Sequence, residues 1–236
     1  MKAIFLYDIT GFMAAPWLDA GYECWVFDGQ HEPGIAREGN LVKVGMWFLP
    51  HRVEAQAVEI ATMVGSEVVF VFGFPECTHL TVAGARHFAA KASANPEFQN
   101  EAVNLAKLIP AVAEAASCST WALENPVGVM SSIWRKPDFM FNPCDFGGYL
   151  PHDDHHPSYP DVYPGRDAYN KGTCIWHGEE FREPVRRPVP PLHKANPGWA
   201  KCGGKSTRTK NIRSATPRGF ARAVFEANAP HLRDLV

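Results

Sequence analysis

Two short segments carry residues able to do covalent chemistry. Phe74-Pro75-Glu76-Cys77-Thr78 comes first and Leu123-Glu124-Asn125-Pro126 second. A thiolate adds to an electron-poor ring better than a hydroxyl does. A glutamic acid partly withdrawn from water can hold a proton near neutral pH. Together a thiol and a carboxylic acid are the groups needed to attack and activate a pyrimidine ring. Pro75 stiffens the turn before Cys77, and Asn125-Pro126 fixes the chain after Glu124. Taken singly, each residue has a plainer reading: a small core thiol after a strand, and a loop or helix-capping acid.

The elements that must position these groups alternate in type. Val68-Val69-Phe70-Val71-Phe72 reads as a buried strand leading to Cys77, and Ser119 to Leu123 as one leading to Glu124. Before them the pattern predicts strands at Lys2 to Tyr7, Glu23 to Phe27 and, weakly, Leu41 to Val44. Helices are predicted at Ala14 to Ala20, with Gly21 as a stop, at Glu54 to Val64 and at Asn100 to Ala116. Such alternation implies an α/β fold with a parallel sheet and helices on both faces. Ligands of these sheets bind beyond the carboxyl ends of the strands, where Asp8, Asp28, Cys77 and Glu124 are all expected. Asp28 suits ribose hydroxyls. The loop Thr10-Gly11-Phe12-Met13-Ala14 has one glycine, so it is neither GxGxxG nor a P-loop. It could hold the amino acid end of a small cofactor.

The second half changes character. Pro137 to Gly204 is rich in Pro, Gly, His and aromatics and reads as long ordered loops around one short strand, Thr173 to Trp176. A helix is predicted from Thr216 to Ala229, opened by Pro217. Net charge is -2, unevenly spread. From Phe181 to Arg222 there are eleven Lys/Arg against one acid, Glu183, a segment of +10 on a remainder of -12. Such a segment suits a polyanionic partner, nucleic acid above all, with a solvated surface as the plainer account. Lys205, Arg208, Lys210 and Arg213, beside Gly203-Gly204 and the hydroxyls of Ser206 and Thr207, suit phosphate oxygens. His152, Asp153, Asp154, His155 and His156, with Cys144, Cys174, His177 and Cys202, include zinc-type ligands. Their spacing matches no standard site, and no metal is expected. The six cysteines are scattered without CxxC, and neither a signal peptide nor a long apolar span is evident. A cytoplasmic protein with reduced thiols is expected.

Taken together these residues resemble the DNA cytosine-5 methyltransferases, and more closely the short members found in bacteriophages and prophages. Asp8 to Trp17, continuing through Ala20-Gly21-Tyr22, is similar to the family's S-adenosylmethionine loop, and Asp28 to its ribose-binding acid. Phe74-Pro75-Glu76-Cys77 is similar to the Pro-Cys nucleophile motif, and Leu123-Glu124-Asn125-Pro126 to the Glu-Asn-Val motif. Arg213 to Ala227 is similar to the closing motif. The resemblance implies a Rossmann-like S-adenosylmethionine-dependent fold. Cys77, Glu124 and Asn125 would be catalytic, and Asp8, Thr10, Gly11, Phe12, Met13, Asp28, Phe74 and Pro75 would lie around the cofactor. The family also places a basic residue near the cytosine oxygen, for which Arg166 or Lys171 stands before the short strand. The chain departs from the pattern in four ways. Its glycine-rich loop is reduced to Gly11, Glu76 replaces a proline beside the nucleophile, Pro126 replaces valine, and no separate target-recognition domain is present.

The expected organisation is a catalytic core over 1–136, a loop-rich, partly basic insert over 137–210, and a returning helix over 211–236. The expected activity is methyl transfer from S-adenosylmethionine to carbon 5 of cytosine in DNA. Two alternatives stay open. One is carbon-5 modification of a nucleotide or RNA, or with a group other than methyl, a variation to which Glu76 points. The other is a non-catalytic nucleic-acid-binding protein.

Overall fold

The computed structural model describes residues 1–204 and 206–233, the side chain of Arg233 excepted. In chain order the elements are β1 Lys2–Leu6, α1 Ala15–Asp19, β2 Glu23–Glu38, β3 Leu41–Gly45, α2 Val53–Val64 and β4 Val68–Gly73. Then come α3 Phe88–Ala94, α4 Phe98–Ala115, β5 Trp121–Pro126, α5 Met130–Ile133, β6 Phe139–Phe141 and β7 Thr173–His177. The chain closes with α6 Pro197–Lys201, α7 Thr207–Ser214, α8 Arg218–Asn228 and α9 Pro230–Arg233. The strands form one sheet in the order β3-β2-β1-β4-β5-β7-β6. The molecule is therefore a mixed α/β protein, as the alternation implied. The expected strands and long helices are present with ends shifted by a few residues, β2 apart.

The chain divides into two compact units. The first holds 1–9, 21–140 and 173–181; the second holds 10–20, 141–172 and 182–236. In the first, β1 pairs in parallel with β2 and β4, and β4 with β5. Strand order therefore reverses direction at β1, whose two neighbours are β2 and β4. Ligands of doubly wound sheets bind at such a switch point. Alternation along the strands turns Ile4, Leu6, Val71 and Leu123 to one face, where they pack with Ala57, Ile60 and Val64 of α2 and Val103, Ala106 and Ile109 of α4. Phe5 and Phe70 meet on the other face, and Phe181 stacks against Phe70 and Phe139.

Four features differ from the sequence expectations. The sheet is not wholly parallel: β7 runs antiparallel to β5. β5 runs on through Glu124 to Pro126, so the glutamate lies within a strand. Its parallel pairing to β4 stops at Leu123, and β7 alone accompanies Glu124 and Asn125, opposite Ile175 and Cys174. β2 continues to Glu38 and pairs with β3 twice, first with Cys24 opposite Leu41 and then, in the reverse sense, with Glu38 opposite Leu41. Residues 32–38 are exposed, so they lack the apolar alternation that marks a strand. Finally, Phe139–Phe141 is a strand in the segment expected to be loops, and Thr207–Ser214 is a helix that straddles the expected boundary at 210 between the insert and the returning helix.

In the second unit α8 packs on the turns Pro143–Tyr149 and Gly165–Asp167 and on α1. Phe220 stacks on Phe141 at 4.0 Å and meets Phe146 at 5.2 Å, while Trp17 packs edge-on against Phe225. A Cβ at Gly219 would run into the Phe146 carbonyl, so glycine there permits the close approach. Asn228 is wholly buried; its Oδ1 accepts from the Arg182 amide and its Nδ2 donates to the Arg182 carbonyl. The packed turns explain why this aromatic, proline-rich region is ordered without periodicity.

Candidate active site

Cys77 stands four residues beyond the end of β4. The chain leaves the sheet with the Phe74 amide still donating to the Leu6 carbonyl at 3.0 Å, and the Phe74 ring packs on Phe72. Pro75 is buried. Half-buried Cys77 opens a tight turn, its carbonyl accepting from the amides of Leu80 and Thr81, both at 2.9 Å. The turn is fastened to the chain beyond β5. Thr81 bridges Gly128, Val82 donates to the Val127 carbonyl at 3.2 Å, and Val129 donates to the Leu80 carbonyl at 2.8 Å. A Cβ at Gly128 would run into the Leu80 carbonyl.

Asn125 joins the two motifs directly. It is completely buried, and its Nδ2 donates to the Pro75 carbonyl at 2.9 Å. The segments carrying the thiol and the carboxyl group therefore come from adjacent strands and are held together, within one unit, by a side chain that one of them supplies. Glu124 is half-buried with Oε1 enclosed. Burial, and then the charge of Glu124, pushes the neighbouring Cys174 thiol up to about 11, which keeps Cys174 an uncharged core group. Glu76 is exposed and accepts a 2.7 Å hydrogen bond from the Thr78 hydroxyl.

Asp8 follows β1, Asp28 ends the stretch of β2 that pairs in parallel with β3, and both residues are buried. The Asp8 amide donates to the Phe27 carbonyl, and Asp28 Oδ1 accepts from the Gln30 amide at 2.8 Å. Burial raises the Asp28 pKa, partly offset by that amide and by the charge of His31. His31, which the sequence reading missed, donates to the main chain of Asp8 and lies close to Asp28. Burial lowers its pKa. Its position three residues past a strand-end acid was the available signal. Buried acids at adjacent strand ends fit the hydroxyl groups of a nucleoside cofactor.

The remaining expected residues belong to the second unit. Gly11 has φ +68 with open space where a Cβ would stand, and its carbonyl accepts from Ala15 at the start of α1. The Thr10 hydroxyl accepts from the Phe12 amide at 3.4 Å. Met13 is fully buried, and Phe12 meets the His156 ring edge-on at 5.3 Å. Arg166 and Asp167 adopt consecutive left-handed conformations, φ 56 and 46. Asp154 holds that turn: Oδ2 accepts from the Arg166 amide at 2.7 Å, and both oxygens receive the Arg218 guanidinium, at 2.9 and 2.5 Å. Lys171 donates its amide to Asn142.

Of the basic residues, Lys205 lies outside the described residues. Arg208 and Lys210 are exposed on α7, which Ser206 caps by accepting from the Thr209 amide. Arg213 is engaged within the unit: its guanidinium lies 4.2 Å from the Trp199 ring centre and donates to the Cys202 carbonyl. His152 contacts Arg166 and His156 is enclosed by aromatic rings. Among the described residues no group of three or more His, Cys, Asp or Glu is arranged to hold a metal. No helix of the described residues is long and apolar enough to cross a membrane.

No protein-family model matches the chain, and no curated protein does. Among solved structures it is similar to a candidate DNA modification methyltransferase encoded within a prophage of E. coli. The TM-score is 0.43 and the identity 10%, over 80% of this chain and 53% of that one. The chain thus spans about half the length of that structure.

Proposed function

We propose that this protein is a DNA cytosine-5 methyltransferase that works through a covalent adduct to Cys77. The observation that carries the reading is the bond from buried Asn125 to the Pro75 carbonyl. It keeps a nucleophile segment and an acid segment in register at neighbouring strand ends. The strand reversal at β1 and the buried acids Asp8 and Asp28 support a nucleoside cofactor at the same edge of the sheet.

In this reading the Cys77 thiolate adds to carbon 6 of cytosine. Glu124 donates a proton or hydrogen bond to ring nitrogen 3, which draws electron density inward and makes carbon 5 nucleophilic. When bound, S-adenosylmethionine supplies the methyl group that carbon 5 takes up. Loss of the carbon 5 proton then expels the thiolate. Asn125 holds the two segments together, and the sequence resemblance assigns Arg166 to the cytosine oxygen. Asp28 would hold the cofactor ribose, and the sequence resemblance assigns Asp8, Thr10, Gly11, Phe12, Met13, Phe74 and Pro75 to the rest of the cofactor. A base in duplex DNA must first leave the stack, at a cost of a few kcal/mol that contacts to the strand offset. Arg208 and Lys210, with Lys205, are assigned to those contacts, while Arg213 is already engaged by Trp199 and Cys202.

The test is mass spectrometry of nucleosides from DNA incubated with the protein and S-adenosylmethionine. 5-Methylcytosine should form with the native chain and not with Cys77→Ala, while cofactor binding by the variant persists. Full activity in Cys77→Ala would sink the covalent mechanism. Exposed Glu76 beside the thiol favours a second reading, carbon-5 transfer of a different group or on a different substrate, which the same mass spectra would reveal as another modified base or none.

A further inference from the structure

An indole that belongs to none of the sequence motifs lies at the carboxyl edge of β2 and β3. Trp47 is 72% exposed. Its ring nonetheless rests on the main chain at Gly29, where an added Cβ would run into Cδ2, Cε3 and Cε2 together. Gly29 does not have a positive φ, so its requirement is close approach and not backbone freedom. The loop bearing Trp47 is held from beneath by Gln56, 3% exposed on α2. Its Nε2 donates to the Trp47 carbonyl at 2.9 Å, and its Oε1 accepts from the Leu49 amide at 2.8 Å. The preceding residue, Met46, donates its amide to the Asp28 carbonyl at 3.2 Å. One face of the indole is thus seated on the residue after Asp28, and the rest of the side chain meets solvent.

We propose that Trp47 is the base-stacking residue of the nucleoside subsite whose ribose acid is Asp28. The inference rests on the cofactor reading above and adds a residue that sets how tightly the subsite holds its base. Three observations favour a nucleoside over a protein partner. The aromatic surface is narrow, because the next residue, Phe48, turns inward and packs on Tyr7 at 4.4 Å between ring centres. A buried carboxylate and His31, whose Nε2 is buried without a hydrogen-bond partner, stand beside it to meet hydroxyl groups. The platform also lies at the carboxyl ends of parallel strands, where open α/β sheets receive nucleotides. A π-face accepts any base by stacking, and such contacts change affinity by about fivefold to about a hundredfold per base.

The test is titration calorimetry of the full chain with S-adenosylhomocysteine and, separately, with adenosine. Trp47→Ala should weaken both ligands by a similar factor within that range, Trp47→Phe should recover most of the loss, and neither change should move the melting temperature appreciably. Wild-type affinity for both ligands in Trp47→Ala would overturn the inference and leave the cofactor reading intact. Loss in Trp47→Ala without recovery in Trp47→Phe would also overturn it, since stacking requires only an aromatic face. If the native chain bound neither ligand, the cofactor reading itself would fall, and this inference with it.

Discussion

At the scale of single residues, the candidate chemistry depends on Glu124, Asn125 and Glu76 as much as on Cys77. General acid groups contribute about 10²- to 10⁴-fold to rate. Glu124→Gln should therefore lower kcat by that order with little change in KM; turnover at the native rate would exclude the acid role. Asn125→Ala removes the donor to the Pro75 carbonyl and leaves that acceptor unsatisfied, which costs about 1–3 kcal/mol. Its denaturation midpoint should fall and its activity with it. Glu76 precedes the nucleophile in the chain, and its carboxyl group accepts from the Thr78 hydroxyl. Glu76→Gln should speed alkylation of Cys77 by iodoacetamide near neutral pH, followed by peptide mass spectrometry. An unchanged rate would show that the carboxylate does not influence the thiolate.

At the scale of elements, the decisive pieces are the antiparallel β7 and the turns of the second unit. Pairing with β7 extends β5 past its parallel partner and so sets Glu124 and Asn125 in extended backbone. The Phe12 loop depends on His156, whose Nδ1 accepts from the amides of Ser158 and Tyr159 while its ring is enclosed by Phe12, Tyr159 and Tyr163. Burial, and then the charge of Arg218, lowers its pKa to about 4, against an opposing pull from Asp154. A histidine depressed in the folded state contributes stability that is present above its unfolded value near 6.5 and is lost as pH falls toward 4. The melting temperature of the His156→Gln variant should therefore rise relative to that of the native chain as pH falls over that window. Parallel curves for the two proteins would contradict this. Asp167, raised by burial to about 6 despite its bond from the Gly219 amide, acts in the opposite sense. Its contribution is lost as pH rises through that value.

At the scale of the whole molecule, the charge asymmetry makes a prediction about partners. If Arg208 and Lys210 meet phosphates, affinity for duplex DNA should fall steeply with salt, and each substitution to Ala should reduce the logarithmic slope by about 0.9. Arg213→Ala should behave differently. Its guanidinium already stacks on Trp199 and bonds Cys202, so the expected effect is a stability loss of about 1 kcal/mol. Filter binding across a salt series, with melting curves alongside, separates the two outcomes. A flat salt response would point to a nucleotide substrate.

The sequence by itself determined the α/β class, most elements, and the two motifs with their order, because buried strands and amphipathic helices write their periodicity locally. It marked Asp8 and Cys77 as residues beyond strand ends for the same reason, and Asp28 as the end of the parallel stretch of β2. Tertiary structure alone decided that Glu124 lies inside a strand, since its partner β7 comes from some fifty residues downstream and leaves no local trace. It alone decided that exposed residues 33–38 pair with β3, because an edge without a buried face needs no apolar alternation. It gave Asn125 the task of tying the two motifs together and brought His31 and Trp47 to the edge that holds Asp28. It also engaged Arg213, which the sequence placed among the residues suited to phosphate oxygens, with Trp199 and Cys202. In each case the deciding partner is distant in sequence, and the side chain's own type is compatible with several fates.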